Sequence, residues 1–282
     1  MDFPALQHEA DGLSAGLPPL MVEADHLAAS VSLGMHGRRR AGMGENFWQF
    51  RRYGAQDSSA AIDWRQSARS QHIFVREREW EAAQTVWFWR DASPNMRFKS
   101  GSVSKGARAD LLLLALASLL VRGGERVGFI GMEGAPAASR IALTRIGRAL
   151  FTRSGAALPP AAPLARGSQL VWFSDFLGPG ALEEMGRLAR RGIAGHLVRI
   201  IDPAEEDFPY SGRARFESPL GAETEIFGRA ERVRAAYRGR FAAHGEKVAA
   251  AAARLGWTAT IHRTDHAAQA ALIALHAAIG GA

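Results

Sequence analysis

The chain has 282 residues, of which 47% are hydrophobic and 22% are charged, a balance typical of a folded globular protein. Its formal net charge of +7 permits nucleic-acid binding, but a basic surface on an arginine-rich protein explains the charge more simply. No cysteine is present, which excludes disulfides, thiolate catalysis and zinc–thiolate sites.

The sequence contains no segment that we expect to enter a membrane. The first residues, MDFPALQHEADG, contain acidic side chains and no apolar core, so they differ from a secretory signal. The longest strongly apolar run covers residues 111–121, which is shorter than the roughly 20 residues that a helix needs to span a bilayer. We therefore expect a cytoplasmic protein.

The N-terminal region has little regular pattern. Residues 1–20 contain several prolines and glycines and are expected to be irregular, whereas residues 22–32 are expected to form a short helix. Residues 44–78 are dense in aromatic, arginine and acidic side chains, with an extended strand expected at 73–79. We interpret these aromatic residues mainly as a satellite core, and direct ligand binding is the alternative.

Residues 83–282 are predicted to form the main domain, and residues 1–82 an extension packed on it. Apolar runs alternate with segments of helical periodicity, which is typical of an α/β fold with a doubly wound, mostly parallel sheet of Rossmann-like type. Strands are expected at Thr85–Trp89, Arg126–Ile130, Gln169–Ser174, His196–Ile201 and Trp257–His262. Helices are expected from Ser102 or Ser104 to Arg122 and at Ile141–Arg153, Ala181–Arg191, Arg229–Leu255 and His266–Ile279, with a small hairpin within 213–227.

Acidic and hydroxyl side chains directly follow two of these strands. Asp91, Ser93 and Asn95 come after the first strand, and Asp175 comes after the strand Gln169–Ser174. Ligands of open α/β sheets bind beyond the carboxyl ends of the strands, where the strand order reverses. Because Mg²⁺ prefers oxygen ligands in octahedral geometry, we predict a metal site here with an open position for a carboxylate of a partner.

Two resemblances follow from these and the upstream residues. The Asp91-x-Ser93-x-Asn95 loop with Asp175 resembles the metal-ion-dependent adhesion site of von Willebrand factor A domains, although that pattern has a serine where Asn95 stands. The chain also resembles the family named domain of unknown function 58, over roughly residues 30–280. The motifs that carry this resemblance are Gly44-Glu45-x-Phe47, Arg51-Arg52-Tyr53, Asp57, Ile62-Asp63-Trp64, Ser67-Ala68-Arg69, Val75-Arg76-Glu77 and Asp202-Pro203-Ala204-Glu205.

The family resemblance implies a non-catalytic protein-interaction module with a von Willebrand factor A-like sheet. It also implies partnership with a MoxR-type AAA+ ATPase in the chaperone-like assembly or maturation of other proteins. Many family members begin with two membrane helices and a β-rich domain, so this chain is expected to be a short soluble form. The implied Mg²⁺ ligands are Asp91, Ser93, Asn95 and Asp175, and the implied partner-binding residues are Arg51, Arg52, Tyr53, Asp57, Asp63, Trp64 and Arg69.

The basic N-terminal region leaves nucleic-acid binding open as a second function. The residues that would contact nucleic acid are Arg38–Arg40, Arg51 and Arg52, with Phe47, Trp48 and Tyr53 stacking on bases. Such binding to single strands would weaken as salt rises, because neutralised phosphates release counterions.

A metal-dependent hydrolase that uses Asp91 and Asp175 is a third function. No histidine is evidently placed to act as its base, and the sequence has neither an HExxH motif nor a P-loop. We therefore expect no enzyme activity. We interpret Asp202, Glu205 and Glu206 as an acidic, solvated turn after a strand.

Overall fold

The computed structural model describes residues 19–32, 47–54, 62–78, 84–152, 155–219, 221 and 223–280. The strands are β1 (Phe47–Arg52), β2 (Phe74–Arg78), β3 (Thr85–Arg90), β4 (Arg126–Phe129), β5 (Gln169–Ser174), β6 (Ala194–Ile201), β7 (Ala214–Glu217), β8 (Thr224–Phe227) and β9 (Thr258–Arg263). The helices are α1 (19–32), α2 (Trp64–Ser67), α3 (Lys105–Arg122), α4 (Arg140–Thr152), α5 (Ala181–Arg190), α6 (Pro203–Asp207), α7 (Arg234–Arg254) and α8 (Ala268–Gly280). Within these ranges, no helix is both long and apolar enough to cross a membrane.

The described residues belong to two compact units. The smaller unit, within residues 34–83, contains α2 and the antiparallel pair of β1 and β2. The strand β1 was not predicted, because its sequence FWQFRR does not alternate between apolar and polar side chains. The larger unit, within residues 1–33 and 84–282, contains all the other helices and strands.

The larger unit is built on five parallel strands in the order β4-β3-β5-β6-β9. From β3 the chain moves outward to β4 and then returns to β5 on the opposite side of β3. The strand order therefore reverses between β3 and β5, and this places their carboxyl ends at the switch point of the sheet. The predicted α/β fold with a mostly parallel sheet and flanking helices is confirmed.

The core explains why the strand and helix sequences are so apolar. All six residues of β5 are buried, which fits the continuous run QLVWFS of a strand covered on both faces. The leucines 111–114 of α3 are also buried, and α3 contacts both α4 and α8. The helix α1 adds Ala24, Leu27, Ala28 and Val31 to the same core.

Several helix boundaries follow from local chemistry. Ser104 caps α3, because its Oγ accepts the N–H of Ala107 at 3.2 Å, and this identifies Ser104 rather than Ser102 as the cap. The long helix predicted from Arg229 instead begins at Arg234, after a short 3₁₀ turn at Ala230–Arg232. The short helix α6 was not predicted, because five residues are too few to show a helical period.

A glycine in β6 allows a close packing contact, and we expect its substitution to be costly. A Cβ atom at Gly195 would lie 2.1 Å from the ring of Trp257, which is 5% exposed and donates its Nε1–H to the carbonyl of Ile193 at 3.0 Å. Gly195→Ala is expected to lower the free energy of unfolding by about 2 kcal/mol, since an overpacked core must shift to accept the methyl group. Urea denaturation of the purified protein measures this loss.

Gly239 provides the matched control for this substitution. It lies in α7, and a Cβ atom there would meet no other atom within 4 Å. Gly239→Ala is expected to raise the free energy of unfolding by about 0.5–1 kcal/mol, because alanine favours the helix. Equal effects of the two substitutions would contradict the packing argument.

Candidate functional site

Polar side chains gather at the carboxyl edge of the central sheet. The strands β3 and β5 are parallel neighbours in which Arg90 pairs with Phe173. The backbone N–H of Asp91 then donates to the carbonyl of Phe173 at 2.9 Å, so Asp91 and Asp175 leave adjacent strands at the same edge. The structure thus brings together the two acids that the sequence placed after separate strands.

Asp91 is fully engaged by hydrogen bonds from the protein. It is 1% exposed, and its Oδ1 accepts the backbone N–H of Ser93 at 2.8 Å. Its Oδ2 accepts the hydroxyl of Ser174 at 2.6 Å. Burial raises the pKa of Asp91, and the hydrogen bonds from Ser174 and Ser93 act in the opposite direction.

Asp175 forms a buried ion pair with a lysine that the sequence analysis did not identify as a site residue. The Nζ of Lys105 lies 2.8 Å from Oδ2 of Asp175 and 2.5 Å from Oε1 of Glu205. The side chains of Lys105 and Asp175 are each 1% exposed. The remaining oxygen of Asp175, Oδ1, accepts the backbone N–H of Leu177 at 2.9 Å. One ammonium therefore bridges two carboxylates that follow two different strands.

The acidic turn after β6 belongs to the same network. Asp202 is fully buried and forms a capping box at the start of α6, where its Oδ1 accepts the N–H of Ala204 at 2.9 Å and Oε2 of Glu205 accepts the N–H of Asp202 at 2.9 Å. Its carboxylate also accepts the backbone N–H of Ser100 at 2.9 Å, as well as the hydroxyl of the same residue. The interpretation of this turn as merely solvated is wrong for Asp202 and Glu205. We name this set of residues, Asp91, Ser93, Lys105, Ser174, Asp175, Asp202 and Glu205, the strand-end network.

Two residues beside the network have left-handed backbone conformations. Phe176 has φ 57° and Phe208 has φ 47°, and non-glycine residues adopt this region at a cost of about 1–2 kcal/mol. The N–H of Phe176 donates to Oγ of Ser174 at 2.9 Å, and its carbonyl accepts from Nε2 of His244 at 2.7 Å. Surrounding hydrogen bonds thus hold the strained backbone in place, which is common at functional sites.

An apolar pocket of about 710 Å³ opens beside the strand-end network. The polar residues that line it include Asn95, Lys105 and Glu205. Asn95 and Glu205 follow strands at the carboxyl edge, and Lys105 begins α3 there. Aromatic rings form much of its wall, namely Phe98, Phe208, Tyr210, Phe216, Phe227 and Tyr237. Burial raises the pKa of Tyr237 to about 12, so its phenol stays neutral at physiological pH. We name this cavity the aromatic pocket.

A Mg²⁺ site requires several oxygen ligands that are free to coordinate the ion in octahedral geometry. Both oxygens of Asp91 and both oxygens of Asp175 accept hydrogen bonds from protein donors, while Asn95 lines the aromatic pocket. Among the residues described, no group of three or more histidine or acidic side chains is arranged to hold a metal ion. The arrangement does not fit an octahedral Mg²⁺ shell with ligands free to coordinate.

The residues predicted to bind a partner lie in the smaller unit. Exposed side chains belong to Arg52, Tyr53, Trp64 and Arg69. Trp64 is 66% exposed, so its interpretation as part of a satellite core is wrong. Asp63 caps α2, where its Oδ1 accepts the N–H of Gln66 at 2.9 Å. Asp57 lies outside the described residues, and only the backbone of Arg51 is described.

Together, the fold and the site define an α/β protein with a polar network and an apolar pocket at the switch point of its sheet. The chain belongs to the family described as protein of unknown function DUF58, whose match covers residues 49–247. The family resemblance found in the sequence is therefore confirmed. No curated protein matches the chain.

Solved structures that are similar to the chain include two proteins from Bacteroides species. The conserved hypothetical protein BatB from Bacteroides thetaiotaomicron is 15% identical, with 71% of this chain and 98% of that chain covered and a TM-score of 0.41. An aerotolerance-related membrane protein from Bacteroides fragilis NCTC 9343, with multiple mutations to serines, is 17% identical, with 71% and 100% covered and a TM-score of 0.39.

Proposed function

We propose that the chain is a non-catalytic protein-interaction module of von Willebrand factor A-like type, acting in the cytoplasm, whose carboxyl edge binds a protein partner. The observation that carries this proposal is the aromatic pocket beside the strand-end network. Its lining residues Asn95, Leu177 and Ala204 follow three neighbouring strands of the sheet. This is the edge at which open α/β sheets bind their ligands.

The pocket has the character of a protein-binding site. Aromatic side chains give large contact areas at little conformational cost, and pockets lined by them receive the anchoring side chains of a partner. Within the described residues, Tyr210 and Tyr237 pack against Phe208 with ring centroids 5.2 and 4.8 Å away, so the wall is formed before a partner arrives. Because the wall is already ordered, binding of a partner does not lose conformational entropy to ordering these side chains.

The partner that the family resemblance implies is a MoxR-type AAA+ ATPase, with the module serving chaperone-like assembly or maturation of other proteins. The exposed side chains of Arg52, Tyr53, Trp64 and Arg69 would add a second contact to this partner. Catalysis is not part of the proposal, because the acids of the strand-end network are engaged by protein donors rather than directed at a substrate.

A substitution that fills the aromatic pocket tests this proposal. Ala236 lies on α7, is exposed and lines the pocket, so Ala236→Trp places a large ring in the cavity without removing a core side chain. We expect it to weaken binding of a MoxR-type ATPase at least about tenfold, the effect of losing one anchoring contact. Calorimetry or a pull-down with the purified ATPase measures this change.

Ala235→Trp is the matched control, because Ala235 is the adjacent exposed residue of the same helix and does not line the pocket. Its affinity for the ATPase should stay within about twofold of wild type, as expected of a surface substitution outside an interface. Equal binding of the ATPase by both variants would mean that the interface lies outside the aromatic pocket. Salt-sensitive binding to single-stranded nucleic acid, with no binding to the ATPase, would favour the nucleic-acid function instead.

A further inference from the structure

We infer that the ammonium of Lys105 is the built-in cation of the strand-end network and that this edge of the sheet works without a divalent metal. The inference rests on the proposed function only in what it says about a partner, since the assignment of the cation comes from the geometry of the larger unit. It replaces the Mg²⁺ that the adhesion-site resemblance implied with a residue of the chain itself.

The position of Lys105 is that of a charge-balancing cation. Its Nζ contacts one oxygen of Asp175 and one of Glu205, at 2.8 and 2.5 Å, and it lies 5.9 Å from the centre of the Phe98 ring. It thus approaches carboxylates that follow β5 and β6, and the face of a ring attracts the same positive charge. A divalent ion bound between these carboxylates would have to displace the ammonium.

The position of Lys105 on its helix also indicates that pairing with the carboxylates is what stabilises the lysine there. It is the first residue of α3, where the unpaired N–H groups make a positive charge unfavourable. It is nevertheless fully buried, and a lysine is rarely buried unless it is paired. The pairing with Asp175 and Glu205 therefore outweighs both penalties, and these two carboxylates are engaged by the ammonium rather than open to a metal.

This assignment changes the partner chemistry expected at the edge. In a metal-bridged contact, an acidic side chain of the partner completes the coordination of the ion. Here a partner carboxylate would approach Asp91, Asp175 and Glu205 with no metal between them, so like charges would disfavour it. The proposed partner is therefore held by apolar anchors in the aromatic pocket, and EDTA should not release it.

Metal titrations of the protein alone test the assignment without any partner. Wild type, Lys105→Ala and the control Lys99→Ala, at an exposed lysine, are freed of metal with EDTA and then titrated with MgCl₂ and MnCl₂. We expect the Tm of wild type and Lys99→Ala to stay constant. Lys105→Ala should gain about 5 °C in Tm at millimolar Mn²⁺, because a metal that binds only the folded state stabilises it. Adding Asp175→Asn to Lys105→Ala should abolish that gain.

Lys105→Gln provides a second variant in case Lys105→Ala does not fold. Its amide keeps a hydrogen-bond donor for Asp175 and Glu205 but carries no charge, so it should also gain Tm with Mn²⁺, by a smaller amount. Binding of one Mg²⁺ or Mn²⁺ per wild-type chain in calorimetry would overturn the inference. So would the absence of any metal response in the folded Lys105 variants. Neither outcome depends on whether the ATPase binds.

Discussion

Lys105→Met is expected to lower the free energy of unfolding at pH 7 by about 3–5 kcal/mol, the cost of leaving buried charges without their partner. Methionine fills a similar volume but carries no charge, so Asp175 and Glu205 would face each other without a cation between them. The side chain of Asp175 is 1% exposed and that of Glu205 12%, so water cannot compensate for the loss. Urea denaturation followed by circular dichroism measures the change.

Two further variants separate charge from packing in this result. Lys99→Met changes the same residue type at an exposed position and should alter the free energy of unfolding by less than about 0.5 kcal/mol. Lys105→Met combined with Asp175→Asn should recover part of the loss, because the double variant retains only one of the two facing charges. A loss below about 1 kcal/mol in Lys105→Met would mean that the ion pair contributes no more than an exposed one.

The stability of the protein is expected to fall in acid because of a buried histidine in β9. His262 is 4% exposed, and its pKa is lowered from 6.5 to about 4, chiefly by burial and also by the nearby charge of Arg108. Among the described residues, its Nε2 has no hydrogen-bond partner. Protonation would therefore place an unsolvated charge in the core.

The sign of the pH effect follows from the lowered pKa. Between pH 6.5 and pH 4 the unfolded chain binds a proton at His262 that the folded protein does not bind, so lowering the pH favours unfolding. The free energy of unfolding should fall by about 3 kcal/mol from pH 7.5 to pH 4 through this residue alone. His262→Leu, which has a similar size and no titrating group, should lack this part of the loss.

Equilibrium unfolding in urea at several pH values checks this expectation. His26→Gln, at an exposed histidine of α1, is the control and should follow the wild-type pH dependence. If His262→Leu loses stability in acid as steeply as wild type, carboxylates rather than His262 cause the acid sensitivity.

The sequence predicted the sheet because the signals for buried strands are local. Gln169–Ser174 is a strand with the predicted bounds. All six of its residues are buried, so its apolar run marks the strand without any need to assign residues to a buried or an exposed face of the sheet. The meeting of Asp91 and Asp175 was also predictable, because parallel strands end at one edge. Ser93 is near as expected, but it donates hydrogen bonds to Asp91, including one from its backbone N–H, and no residue pattern distinguishes that arrangement from coordination of a metal.

The parts of the site that the sequence did not predict depend on distant contacts. From the sequence alone, Lys105 resembles an ordinary exposed residue at the start of a helix. Only the fold brings it into contact with Glu205, which lies 100 residues further along the chain. Ser174 was expected to adjoin Asp91, as part of a possible hydrolase cluster, but its role as a hydrogen-bond donor to that carboxylate was not predicted. The one local signal is that Lys105 opens a helix with four consecutive buried leucines, at the end where a lysine is least favourable.

The sequence distances within the strand-end network have a consequence for how the protein is made. Asp91 bonds Ser174 across 83 residues, and Lys105 reaches Asp175 and Glu205 across 70 and 100 residues. Contacts between residues so distant in sequence form late in folding. The chain must first lose the entropy of closing the long intervening loops, and only then do the contacts contribute favourable free energy. A chain still on the ribosome cannot assemble the network until residue 205 has emerged. A partner that recognises this network therefore meets only chains in which β3, β5 and β6 are already formed.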